Sequence, residues 1–269
     1  MTVETLETLY DGIPDEVYHS GEWLPEPSLS VSGAKRLLRT SPARWKWEQE
    51  NKPVKKVWDF GHAAHAKVLG VGAKVATIPA DKLAKNGAAS TKAAKEWIAE
   101  QRAVGIVPLK ADEMAVVDAM AEALEVHPVA KDLLSDGKPE VSLAWRDPET
   151  RALLRGRADW LTEYHGTPVI VDYKTCDDAN PTEFAWDVRK FDYHMQDTWY
   201  RQMLDAITGT PHGFLFIVQE KSEPYLVSVV QLNNLLRADG AERNATARAL
   251  WVDLMTRDEW PAYPGITTI

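Results

Sequence analysis

A single cysteine, Cys176, stands in 269 residues. That excludes an internal disulfide and any cysteine-clustered zinc or iron–sulfur site. No apolar run approaches the roughly 20 residues that a membrane span requires. Met1 to Asp11 lacks the basic, apolar and small-residue regions of a signal peptide. A soluble, cytoplasmic protein without membrane contact is therefore expected. No Gly-x-x-x-x-Gly-Lys-Ser/Thr phosphate loop is present, so the chain has no helicase motor of its own. Positive charge is scarce too: 31 Lys and Arg against 40 Asp and Glu leave a formal net charge of -9. This weighs against nucleic-acid binding, whose non-specific affinity comes from cations facing phosphates.

The distribution of charge matters more than its sum. Between Gly33 and Lys56 lie Lys35, Arg36, Arg39, Arg44, Lys46, Lys52, Lys55 and Lys56, opposed only by Glu48 and Glu50. Trp45, Trp47 and Trp58 are interleaved with them. Taken alone, this is a solvated amphipathic helix with tryptophans turned to the core. Beside a site for phosphodiester chemistry it becomes a candidate DNA-binding surface, with Arg36, Arg39 and Lys46 as its members.

At 45% hydrophobic and 26% charged residues, the chain can bury a core. Its length fits one domain over 1–269, with 1–58 an N-terminal extension packed on the core as a helical part. Thr2 to Leu29 reads as irregular. Ser30 or Ser32 caps a helix through Ala34, Leu37 and Leu38 that stops at Ser41-Pro42. Further helices are expected after Pro42, over Phe60–Leu69 and over Glu113–Leu124; Asp81 to Ala94 reads as a mobile loop. Glu140–Trp145, Ala152–Leu161, Pro168–Lys174, Phe214–Val218 and Tyr225–Gln231 read as strands. Pro181–Ile207 and Leu232–Met255 read as helical. The order implies an α/β protein, a mixed sheet wrapped in helices.

In an extended strand Asp172 and Lys174 share a face, while Val171 and Tyr173 take the other. Asp159 ends the preceding strand, and a hairpin-like return brings it toward Asp172. Two carboxylates held together call for a cation between them, and hard oxygen ligands favour magnesium (Mg2+) or manganese (Mn2+). Lys174, one step along the same face, is placed to position or deprotonate a water attacking a phosphodiester. Asp-x-Lys alone is also a common surface ion-pair pattern at a strand end.

Five ordered elements resemble the RecB-type branch of the PD-(D/E)xK nuclease superfamily, and within it the RecE-like (exonuclease VIII-like) exonucleases of phages and prophages. They are Gly61 to His65; Arg155-Gly156-Arg157-Ala158-Asp159; Val169 to Thr175; Gln196 with Tyr200; and the flanking Leu29-Ser30-Val31-Ser32, Ser41-Pro42 and Glu259 to Tyr263. The resemblance implies a restriction-endonuclease-like core, a central mixed sheet flanked by helices. It implies Asp159 and Asp172 as metal ligands with the Tyr173 carbonyl, Lys174 as catalytic lysine, and His65 as a further ligand or organiser of the metal site. Gln196 and Tyr200 would brace the site and contact the DNA backbone, with Arg157 of the same strand motif also on the DNA. Ala158 stands where the superfamily's name has proline, and the middle acidic residue is Asp172, not Glu.

His62 lies three residues from His65, so either fits the histidine position. Glu140, on the strand before Asp159, is either another carboxylate for the metal or an edge-strand surface charge. The activity implied is 5′-to-3′ exonuclease action on double-stranded DNA ends, leaving single-stranded tails for phage recombination. A closed homo-oligomer and a single-strand annealing protein are the implied partners, in the host cytoplasm if the chain is phage-encoded. Other readings are an endonuclease or a phage defence or counter-defence nuclease on the same fold, or a catalytically idle DNA-end-binding adaptor.

Overall fold

Two short segments near the N-terminus, separated by prolines and glycines, enter the central sheet of this computed structural model, which describes residues 7–51, 60–70, 74–263 and 265. They are β1 (Glu7–Tyr10) and β2 (Leu29–Ser30), with the helix α1 (Asp15–Ser20) between them. The region expected to be irregular is therefore structured: β1 forms one edge of the sheet and β2 adds alongside a central strand. Pairings this short depend on distant partners, which no local pattern reveals.

Ser30 ends β2 and caps the next helix, α2 (Val31–Arg39), by accepting from the Gly33 N–H at 3.1 Å. Ser41 caps α3 (Pro42–Glu50) in the same way, with Pro42 in the first turn. Then come α4 (Phe60–Leu69), β3 (Val75–Thr77), α5 (Lys92–Ala103), β4 (Val107–Leu109), α6 (Ala111–Val126) and α7 (Pro128–Ser135). Strands β3 and β4 make a separate two-stranded parallel sheet, and they, α5 and α7 were not evident in the sequence pattern. The expected loop at Asp81–Ala94 holds a 3-10 turn at Ala80–Lys82, a bond from Ala84 N–H to Ala88 O, and the Thr91 cap of α5.

The core strands follow: β5 (Lys138–Arg146), β6 (Leu153–Tyr164) and β7 (Thr167–Cys176). The expected helical stretch is two helices, α8 (Pro181–Lys190) and α9 (Tyr193–Thr208), broken where Asp192 takes a left-handed φ of 54°. Strands β8 (Gly213–Glu220) and β9 (Val227–Val230) and the long α10 (Asn234–Arg257), capped by Asn233, complete the order. The main sheet runs β1-β5-β6-β7-β8-β9, with β2 joined to β6. Only β7–β8 and β2–β6 are parallel, so the sheet is mixed. Val169 to Val171 is apolar throughout because β7 is covered on both faces.

One face packs Leu143, Ile170, Phe216 and Val218 against Leu37, Phe184, Met195, Trp199 and Leu254 of the helices α2, α8, α9 and α10. The other packs Val171, Tyr173 and Ile217 against Ala64, Met120 and Leu133 of α4, α6 and α7. Each such side chain contributes about 1.5–3 kcal/mol relative to exposure. Two glycines let α9 sit close to its neighbours. A Cβ on Gly156 of β6 would meet the Tyr200 ring at 2.8 Å, and one on Gly240 of α10 would meet the His194 carbonyl oxygen at 2.2 Å.

Candidate active site

Strands β6 and β7 pair from the hairpin end only as far as Trp160–Val171. Beyond that point β7 continues on β8 through Cys176. The early half of β6 stays on β5 and takes β2 on its other side, at Leu154 and Arg155. The sheet forks here, and the next residues in register are Asp159 and Asp172. In place of a ladder bond, the Tyr173 N–H donates to Asp159 Oδ2 at 3.2 Å.

A second irregularity turns Asp159. Across the strand from it, between the pairs Pro139–Trp160 and Val141–Ala158, sits Glu140 with a left-handed φ of 52°. Ala158 packs on the α9 side of the sheet and Trp160 on the α4 side, although regular alternation would put them on one face. The flip aims both carboxylates at His65 of α4. His65 Nε2 lies 3.0 Å from Asp159 Oδ2 and Nδ1 lies 3.7 Å from Glu140 Oε1. Burial opposes the imidazolium, but the hydrogen bond and charge of Asp159, with Glu140, raise the His65 pKa above its ordinary value. Burial likewise opposes the Asp159 carboxylate; the His65 hydrogen bond and charge, with Lys174, bring its pKa below the usual range. The Glu140 pKa is raised, by burial first and then by Asp159. Glu140 is thus at the centre, not on a surface edge.

On the other arm of the fork, Asp172 is 0% exposed. Its Oδ2 bears the Lys174 ammonium, and the Gln196 amide nitrogen of α9 donates to its Oδ1. Burial pushes the Asp172 pKa up to about 6, Lys174 acting against this and Asp159 adding to it. Lys174 is held above the ordinary lysine range: burial would lower it, but Asp172 and Asp159 prevail. The ion pair with Asp172 thus favours the ammonium form of Lys174.

Tyr173 points to the opposite face, its hydroxyl donating to Gln219 Oε1 at 2.6 Å. Tyr200 is buried over Gly156, with its ring 6.4 Å from that of Phe214. It braces the floor of the site, its ring buried against β6. Arg157 is 8% exposed. Its guanidinium bonds Ser142 Oγ at 3.0 Å and the Ile13 carbonyl at 2.7 Å, sits 4.1 Å from the Tyr18 ring centroid, and lies 3.7 Å from Glu140 Oε2. Those contacts occupy the guanidinium as an internal brace, where the sequence places Arg157 on the DNA.

The basic segment divides. Arg36 and Arg44 share Glu48, Arg39 pairs with Asp192, and Lys46 lies 3.3 Å from Glu50. Lys52, Lys55, Lys56 and the His62 side chain fall outside the described residues. Lys35 is not among the site residues the sequence points to, yet its Nζ lies 3.5 Å from Gln196 Oε1. The signal was its place on α2 four residues after buried Val31, at the margin of the apolar stripe.

Among the described residues no three His, Cys, Asp or Glu side chains are gathered as a metal shell. The two aspartates instead each lie against a nitrogen of the protein, Asp159 against His65 Nε2 and Asp172 against the Lys174 ammonium. The donor chemistry nonetheless fits a hard divalent cation: three carboxylates from adjacent strands, two of them close enough that the charge of Asp159 raises the pKa of Asp172.

A family model described as a PDDEXK-like domain of unknown function matches residues 30–268. The chain belongs to that family, and PD-(D/E)xK nucleases generally use divalent metal ions. No curated protein matches it. Among solved structures, the chain is similar to one from Eubacterium rectale whose description as an exonuclease is provisional. The TM-score is 0.58 at 13% identity, covering 95% of this chain and 96% of that one. At that identity the likeness shows the fold alone. A second structure, that of SSO0001, aligns with TM-score 0.37 at 11% identity over 86% of this chain and 82% of that one, and carries no weight. No helix among the described residues is long and apolar enough to cross a membrane.

Proposed function

We propose that this PDDEXK-like protein is a metal-dependent DNA nuclease that hydrolyses phosphodiesters at the β6–β7 fork. The observation that carries the reading is the meeting of Asp159, Asp172 and Lys174 there, with Gln196 fixing one carboxylate and His65 the other. Asp159, Asp172 and the Tyr173 carbonyl would hold the metal, with Glu140 and His65 beside them; Mg2+ or Mn2+ suits such oxygen donors. When bound, the metal supplies positive charge to the phosphoryl oxygens and acidifies a water.

The chain's own residues do the rest. Lys174, kept protonated by Asp172, hydrogen-bonds the attacking water or a phosphoryl oxygen as charge builds there. Gln196 holds the Asp172 carboxylate so that Lys174 does not swing with it. Arg157 and His65 keep Glu140 and Asp159 turned into the fork against their mutual repulsion.

Within this reading the substrate is a double-stranded DNA end and the polarity 5′ to 3′, leaving single-stranded tails for recombination. The resemblance to RecE-like exonucleases supports this; the provisional description of the Eubacterium rectale protein supports exonuclease action alone and not its polarity or substrate end. A closed homo-oligomer accords with a net charge of -9 and with cations of α2 and α3 spent on internal pairs. Symmetric repetition multiplies phosphate contacts that one subunit has in short supply.

The test is digestion of end-labelled linear duplex and of closed circular duplex, with Mg2+ and with chelator. Metal-dependent loss of the linear form alone, from the 5′ end, supports the reading. Circle cutting would replace exonuclease with endonuclease, and inertness toward both would leave an end-binding adaptor. Light scattering checks the assembly: a single-chain mass at micromolar concentration defeats the closed oligomer.

A further inference from the structure

Lys35 differs from its neighbours on α2 and α3 in what it touches. Arg36, Arg39, Arg44 and Lys46 each have a carboxylate partner. Among the described residues, none lies within 4.0 Å of Lys35 Nζ. Its hydrogen bond runs to a neutral acceptor, Gln196 Oε1 at 3.5 Å. Lys35 Nζ also stands over the Tyr193 ring, 5.3 Å from the centroid, and Lys174 Nζ stands over the same ring at 5.2 Å. Two ammonium groups therefore share one aromatic wall beside the fork. Lys174 is neutralised by Asp172; Lys35 is not.

A half-buried ammonium without a counter-ion is an unfavourable arrangement in the free protein. Burial, then the charge of Lys174, lower the Lys35 pKa to about 7, with Asp172 and Asp192 acting the other way and Arg39 adding to the depression. An arriving anion relieves both the desolvation and the repulsion. Gln196 turns its oxygen to Lys35 and its nitrogen to Asp172, so the amide offers Lys35 a neutral contact only. Anions of compact tetrahedral shape suit a single ammonium with three donors.

We propose that Lys35 is a phosphate-binding site adjoining the Asp159–Asp172 centre, taking an oxygen of a phosphate mono- or diester of the nucleic-acid substrate. This deepens the nuclease reading and rests on it for the substrate class. Two sources carry the same chemistry: a phosphodiester within the strand and a terminal 5′-phosphate.

The experiment uses the full chain with Lys35→Ala, Lys35→Gln and Lys35→Arg, each checked for an unchanged melting curve. Binding of labelled duplex is measured by anisotropy in chelator, where no cleavage occurs, on ends bearing 5′-phosphate or 5′-hydroxyl. Steady-state cleavage in Mg2+ is measured beside it. We expect Lys35→Ala and Lys35→Gln to raise Kd and KM about tenfold, with kcat changed less, and Lys35→Arg to recover most of the loss. A loss confined to 5′-phosphorylated ends assigns the terminal phosphate; an equal loss on both assigns the internal diester. Unchanged Kd and KM on both substrates in a folded variant would overturn the proposal. So would a fall in kcat alone that Arg does not rescue, which assigns Lys35 to holding Gln196. Because Kd is read without metal, an inactive wild type would sink the nuclease reading while leaving Lys35-dependent binding measured on its own.

Discussion

The β6–β7 fork and the α2–α3 segment are both rich in charge, and they use it in opposite ways. At the fork, Asp159, Asp172, Lys174, His65 and Glu140 come from three strands and a helix and converge on one place. Along α2 and α3, charges close in sequence cancel one another, as Arg44 with Glu48 and Lys46 with Glu50 do one helical turn apart. Exposed pairs of that kind add at most about 1 kcal/mol and leave little field for a ligand. Charge density along the sequence is thus a poor guide to a site. What distinguishes a site is charge that the fold gathers from far apart.

That contrast is most directly broken at Lys174. Lys174→Ala should lower cleavage by at least about a hundredfold with DNA affinity little changed; near-normal turnover would remove the fork as the reaction centre. Asp159→Asn and Asp172→Asn should each abolish the metal's effect on melting. A divalent cation at about a hundred times its Kd should raise the wild-type Tm by about 5 °C or more. Equal shifts in all three proteins would place the metal elsewhere.

Neutralising Arg36, Arg39 and Lys46 together tests the other region. With their charges already paired, the triple variant should weaken DNA binding by less than about fivefold, a smaller loss than Lys35→Ala alone gives. A larger loss with a flattened salt dependence would restore this segment as the main DNA surface.

The smallest expected effect comes from the histidine. The folded-state pKa of His65 lies above its ordinary value of 6.5. Its contribution is therefore fully present below pH 6.5 and is lost as pH rises through the folded value. In chelator, the Tm should fall by about 2 °C more in wild type than in His65→Gln between pH 6.5 and 8.5. Parallel curves would show that the Asp159 contact carries no ionic stabilisation.

Much of the core was legible because its signals are local. Val169 to Lys174 reads as a buried strand ending in a charged pair, and Ser41-Pro42 reads as a helix start. Gln196 and Tyr200 fall one turn apart on one helix, Gln196 bonded to Asp172 and Tyr200 buried against Gly156, a burial that no local pattern announces. The fork itself was not legible. It depends on β7 leaving β6 for β8, and on two residues of β2 filling the vacated side. Nor does a glutamate in sequence announce the left-handed backbone that turns Asp159 toward α4, since such conformations are rare outside glycine. Lys35 stayed hidden because a lysine in a basic run looks solvated until its neighbours are known.

The height of α9 above the sheet is fixed by two missing methyl groups, at Gly156 below it and Gly240 beside it. Gln196, and through it Asp172, ride on that helix. A side chain at either glycine would act as a shim, sliding the whole lever while every charged residue of the fork keeps its identity. Activity in this protein is accordingly vulnerable at two places that bear no functional group at all, and Gly240, which lies in α10 and not in the sheet, is the more easily overlooked.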